Sequence, residues 1–194
     1  MPVDSDSFVF VISLAAVVNG LGIVRWLTGF TEYLRRRPSL RLTHYWVYTL
    51  AAGFQFMLHV LFWWSLWSIR GTATINFLSY LFLLSGPILL FVGSAMLAPD
   101  LSEDDIDLRD HYLQTRPVYA SVLIMAWLWA ILLSPVLRGS VAPTLPYFAL
   151  FLTVAIGQRL TGNLAIQGVL AVANWLLFIA FIASYAMQLG GTAA

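Results

Sequence analysis

Six long apolar stretches, separated by short polar or charged breaks, take up most of this chain. A bilayer's hydrocarbon layer, about 30 Å thick, is crossed by a helix of about 20 mostly apolar residues. Of the 194 residues, 60% are hydrophobic and 10% charged, against roughly 25% charged in a soluble domain. The mean hydropathy is +0.84. The expected fold is therefore an all-α, polytopic transmembrane bundle of six helices. It forms a single domain over residues 1–194, with almost nothing left for a separate soluble unit.

Breaks in hydropathy set the expected boundaries. Helix one runs from Phe8 to Phe30 and is followed by Arg35, Arg36, Arg37 and Arg41. Helix two covers His44 to Ile69, stopped by Arg70 and Gly71. Helix three covers Ile75 to Leu97, closed by Pro99. Residues 98–116 read as an acidic cytoplasmic loop carrying Asp100, Glu103, Asp104, Asp105, Asp107 and Asp110. Helix four begins at Pro117, a favourable first-turn position for proline, and reaches Leu137. Pro143 opens helix five, which ends near Arg159 and is the shortest. Helix six runs from Gly162 to Leu189. The first seven residues carry Asp4 and Asp6 and no cation, so the first span reads as a retained anchor and not a signal peptide.

Arginine placement orients the bundle. Arg35, Arg36, Arg37, Arg41, Arg109, Arg116 and Arg159 lie in or beside the loops after helices one, three and five, while Arg70 and Arg138 lie on the other side. Seven against two puts those loops in the cytoplasm and both termini outside. Trp63, Trp64 and Trp67 then form an aromatic belt at the outer end of helix two. The near-zero net charge of +1 carries no signal for nucleic acid. The expected surroundings are the lipid bilayer, with a homo-oligomer or a membrane partner.

Polar residues inside apolar helices are the candidate sites, because lipid offers them no partners. In helix six, Asn163, Gln167, Asn174, Tyr185 and Gln188 fall within about 60° at roughly 100° per residue. In helix two, Tyr45, Tyr48, Gln55, His59, Trp63 and Arg70 form a second seam within roughly 80°, with the imidazole near mid-span. If the two seams face one another, they line a path for a solute or an ion, with His59 as its titratable centre. Otherwise they hold the helices together. Arg25 is the one charge well inside helix one; its long side chain can reach the headgroups or pair with Glu32.

Several classes of chemistry lack their residues. Without cysteine there is no disulfide and no thiolate ligand or nucleophile. Without lysine there is no Schiff base. His44 and His111 have no metal-ligand spacing, and no metal or other cofactor is expected. No HExxH, GxSxG or phosphate-binding glycine loop occurs, so no catalytic residues are assigned and an enzyme is not the expected class. The alternative to a channel, transporter or ligand-binding bundle is a non-catalytic membrane subunit or scaffold. It would assemble through helix faces and the acidic loop. Ser79, Gly86 and Gly93, seven apart on helix three, and the Asn19-Gly20-Leu21-Gly22 run mark close helix contacts. Pro87 is expected to kink helix three.

The run Asn19–Phe30 (NGLGIVRWLTGF) before the arginine cluster, with Asp107–Tyr112 (DLRDHY) before helix four, resembles a group of uncharacterised bacterial inner-membrane proteins of about this length. The resemblance implies a bacterial inner membrane and six helices. It lends no functional residues.

Overall fold

The computed structural model describes residues 5–36, 41–67, 76–99 and 105–186. They form six α-helices and are 89% helical. These are α1 (Ser5–Arg36), α2 (Trp46–Leu66), α3 (Phe77–Leu97), α4 (Leu108–Arg138), α5 (Leu145–Leu160) and α6 (Leu164–Phe181), the last continued by a π-helical turn, Ile182–Ala186. Five are long and apolar enough to cross a membrane; α5, with 16 residues, is shorter. Arg70, Asp104, Gln188 and Leu189 lie outside the described residues.

Helix boundaries follow local chemistry where hydropathy alone does not find them. α4 begins at Leu108, nine residues before the expected Pro117, and removes residues 108–116 from the expected loop. The Asp107 carboxylate accepts from the backbone N–H of Arg109 (2.8 Å) and Asp110 (3.2 Å), a side-chain cap that satisfies first-turn donors. At its other end, Gly139 takes φ of +66° and its N–H returns to the Pro135 carbonyl, a left-handed stop that glycine adopts without penalty. Asn76 caps α3 through Ser79 N–H, and Asn163 caps α6 through Ala165 and Ile166 N–H.

A two-stranded parallel sheet, absent from the sequence expectation, ties the α1–α2 and α3–α4 connections together. β1 (Arg41–Thr43) pairs with β2 (Asp105–Asp107), with Leu42 opposite Ile106. α1 packs mainly on α3, α3 and α5 both pack on α4, and α2 touches α1, α3 and α6 but makes little contact with α4. α1 ends, α3 ends, and α2, α4 and α6 begin or cap near this sheet end; the opposite end holds Leu66, Arg138 and Leu145. Many large apolar side chains face outward, among them Val17, Leu21, Val24 and Leu176, as lipid-facing surfaces require.

Candidate functional site

His59 sits at the junction of α1, α2 and α3, fully buried with Asn19 and Ser94. Its Nδ1 lies 2.8 Å from Asn19 Oδ1 and its Nε2 lies 2.8 Å from Ser94 Oγ. Asn19 Nδ2 donates to the His59 backbone carbonyl at 3.2 Å, which fixes the amide's orientation and leaves Oδ1 as an acceptor only. Nδ1 therefore carries the proton, and Nε2 accepts from the Ser94 hydroxyl. Every polar atom of the trio is engaged. A Cβ on Gly22 would strike the imidazole, so glycine at this point in α1 is what admits the ring.

One turn earlier, Gln55 spans three helices. Its Nε2 donates to the Leu90 carbonyl of α3 at 2.8 Å, and its Oε1 accepts from Tyr119 Oη of α4 at 3.3 Å. Gly93 makes room for it: a Cβ there would lie 2.9 Å from Gln55 Oε1. At the sheet end, Gln167 Nε2 donates to the carbonyls of Gln158 (2.9 Å) and Thr161 (2.7 Å), while Oε1 accepts from Tyr112 Oη at 3.1 Å. Arg116 Nη1 adds a second donor at the Gln158 carbonyl, 3.0 Å away. The last carbonyls of a helix have no partner within it, and Gln167 and Arg116 cap those of α5. Tyr48 Oη and His111 Nε2 do the same for α3 through the Leu97 carbonyl.

The seam residues of α2 and α6 thus have separate positions. Gln55 and His59 turn toward α1, α3 and α4. Gln167 binds α4 and the α5–α6 corner, Asn163 is an exposed cap, and Tyr185 donates to the Pro143 carbonyl at 3.3 Å. The α2–α6 contact is aromatic: Phe54 meets Trp175 and Phe178, Gly53 admits the Trp175 ring, and Trp175 Nε1 donates to the Leu50 carbonyl. Asn174 reaches a void of about 10 Å³ that it shares with Tyr119 and Gln158. Asn174 Oδ1 and Gln158 Oε1 are buried without a protein partner. That space is about one water wide, too narrow for a solute. Arg25 is exposed on α1, and Glu32 pairs with Arg35 at 2.7 Å in place of Arg25. Among the described residues no cluster of three metal-ligating side chains occurs.

Sequence reasoning missed a second, roomier space. At the end opposite the sheet, a cavity of about 350 Å³ opens between α2, α3, α4 and the starts and ends of α5 and α6. Leu58, Phe62, Leu90, Ala126, Ala130 and Leu133 wall its inner part; Trp64, Trp67, Arg138, Thr144 and Tyr185 surround the outer part. α2 and α4 make little contact with each other, and Gly86, Ala126 and Ala130 place small side chains on the cavity wall. Gly86 also admits the Trp129 ring, whose Nε1 donates to the Phe82 carbonyl at 2.7 Å. Pro87, one residue on, has no N–H to offer the Leu83 carbonyl one turn earlier in α3.

No family model matches the chain, and neither curated proteins nor solved structures include a match. An all-helical bundle with five membrane-length apolar helices is compatible with an integral membrane protein.

Proposed function

We propose that the protein is a six-span membrane protein that binds a hydrophobic molecule in the cavity between α2, α3 and α4. The sheet end would face the cytoplasm and both termini the outside, in a bacterial inner membrane. The observation that carries this reading is the cavity: its volume falls in the range of small-molecule sites, and its walls are apolar with a few polar groups near one end. The tryptophans beside it suit an opening at the membrane interface. The buried amides and His59 serve in this reading as locks between helices, since their hydrogen bonds are made within the bundle. A solute or ion path through them would require those bonds to open.

The competing reading is a non-catalytic membrane subunit or scaffold, alone or as a homo-oligomer. It is favoured by α1, which packs on one side only and turns Leu14, Val17, Leu21 and Val24 outward. One experiment separates the two. The purified protein in lipid nanodiscs is titrated with a brominated long-chain alcohol while tryptophan fluorescence is followed. Binding in the cavity gives quenching that saturates, and Leu133→Trp, which fills the space, removes the saturable part. Quenching that only follows partition into the bilayer, alike in both proteins, would sink the ligand-binding reading and leave the scaffold.

A further inference from the structure

The residues lining the cavity decide which kind of molecule it can take. Arg138 is the one charged residue on its wall among the described residues, and it already has an interaction of its own. No acidic side chain among them lines the space. An anion would find no free counter-charge there and a cation no carboxylate, so burial would leave either uncompensated, at high cost. Two hydroxyls on the wall are open. Ser65, Ser85, Ser121, Thr115 and Thr153 each return their hydroxyl to a carbonyl one turn back in their own helix, a local bond that apolar surroundings favour. Ser134, near the end of α4, and Thr144, at the start of α5, line the cavity half-buried and hold no such bond among the described residues. The Tyr185 hydroxyl is not a third, since it donates to the Pro143 carbonyl.

Aromatic rings on the same wall form a connected series. Trp127, Phe148, Phe181 and Tyr185 all line the cavity. Successive centroids are 5.9, 5.6 and 5.9 Å apart, and neighbouring planes differ by 30°, 40° and 29°. A ring packed against such a series gains more than its buried area alone, while a flexible chain loses rotamer freedom on the same surface. A cavity of about 150 Å³ holds one benzene ring, so about 350 Å³ has room for two fused rings. We propose that the occupant is an uncharged, planar two-ring molecule bearing oxygen, of the naphthol or naphthyl-ketone kind, with its oxygen at Ser134 and Thr144 and its rings along Trp127 and Phe148. This rests on the ligand-binding reading above and adds the ligand's charge, shape and polar group.

The test uses the full-length protein in neutral nanodiscs at neutral pH, with tritiated 2-naphthol and tritiated naphthalene as probes and empty nanodiscs to subtract partition into the bilayer. The expected result is saturable binding of 2-naphthol that Leu133→Trp removes. Naphthalene, which lacks the oxygen, and 2-decalol, which has the same skeleton without flat rings, should each bind about tenfold more weakly once their own partition is subtracted. The anion 2-naphthoate should not compete. The double variant Ser134→Ala/Thr144→Val should bind 2-naphthol only as well as naphthalene, and unaltered naphthalene binding reports that it folds. If 2-decalol competes as well as 2-naphthol, the planar assignment is wrong. If the double variant keeps the preference for 2-naphthol, or 2-naphthoate competes equally, the uncharged oxygen site is wrong. The cavity reading stands in each of these cases. If no ring compound binds saturably while the brominated alcohol does, the ligand class falls and the cavity reading survives; if the alcohol fails too, the cavity reading itself falls.

Discussion

The imidazole of His59 fills the space into which a Cβ on Gly22 would project. Two residues 37 positions apart are thereby matched in size, one helix giving up its side chain to admit the other's ring. Gly20, two positions earlier in α1, has no atom within 4 Å of where its Cβ would be. The pair supplies its own control. Gly22→Ala should destabilise the protein by about 1–3 kcal/mol through overpacking, whereas Gly20→Ala should be neutral or stabilise by up to about 1 kcal/mol through helix propensity. Equilibrium unfolding in a mild detergent series measures both; equal effects would mean that the ring does not sit against α1.

The bonds around His59 make a second prediction. His59→Ala strands Asn19 Oδ1 and the Ser94 hydroxyl at fully buried positions, at about 1–3 kcal/mol for each unsatisfied group. Asn19→Ala strands Nδ1 of the imidazole. Because the same bond is lost in each, the double variant should cost less than the sum of the single ones, with a coupling of about 0.5–3 kcal/mol. Strict additivity would show that Asn19 and His59 do not interact.

These residues also mark how far the sequence could be read. The burial of Gln55, His59, Gln167 and Asn174 was legible because an amide or imidazole within an apolar helix has nowhere else to go. Their partners were not. Asn19 was read as part of a small-residue run, and Ser94, Tyr119 and Gln158 are single polar residues whose facing depends on how the helices cross. Helical wheels gave directions on each helix but not rotations between helices, so two seams drawn toward one another turned to different neighbours. The early start of α4 was hidden because hydropathy detects only the apolar part, while Arg109 to Arg116 form a more polar helical extension started by the Asp107 cap. The β1–β2 pairing joins segments more than sixty residues apart, and the cavity is lined by residues spread from Leu58 to Tyr185; neither leaves a local pattern.

Gln167 offers a prediction at the α5–α6 corner. Gln167→Leu keeps the volume but removes the donors to Gln158 and Thr161 and the acceptor for Tyr112. The Gln158 carbonyl keeps Arg116, so the Thr161 carbonyl and the Tyr112 hydroxyl carry the cost, about 1–3 kcal/mol each at full burial. Unfolding measurements should show Gln167→Leu more damaging than Asn163→Ala, the exposed α6 cap, whose loss costs about 1 kcal/mol. The reverse order would mean that the corner is held by the cap and not by the buried amide.

Water access distinguishes a locked polar core from a conducting one. The native chain has no cysteine, so single cysteines at Gln55, Gln167 and Asn174 can be read without background. All three sites are nearly or fully buried, and the space beside Asn174 is about 10 Å³, far smaller than a charged thiol reagent. In membrane vesicles these three positions should resist labelling, while a cysteine at Val141, 67% exposed in the α4–α5 connection, should react readily. A cysteine at Ser134, on the cavity wall, should react with a small membrane-permeant reagent and be protected by the brominated alcohol. Rapid labelling at Asn174 by a hydrophilic reagent would place water in the centre of the bundle, and the polar residues of α2 and α6 would then have to be a path that opens.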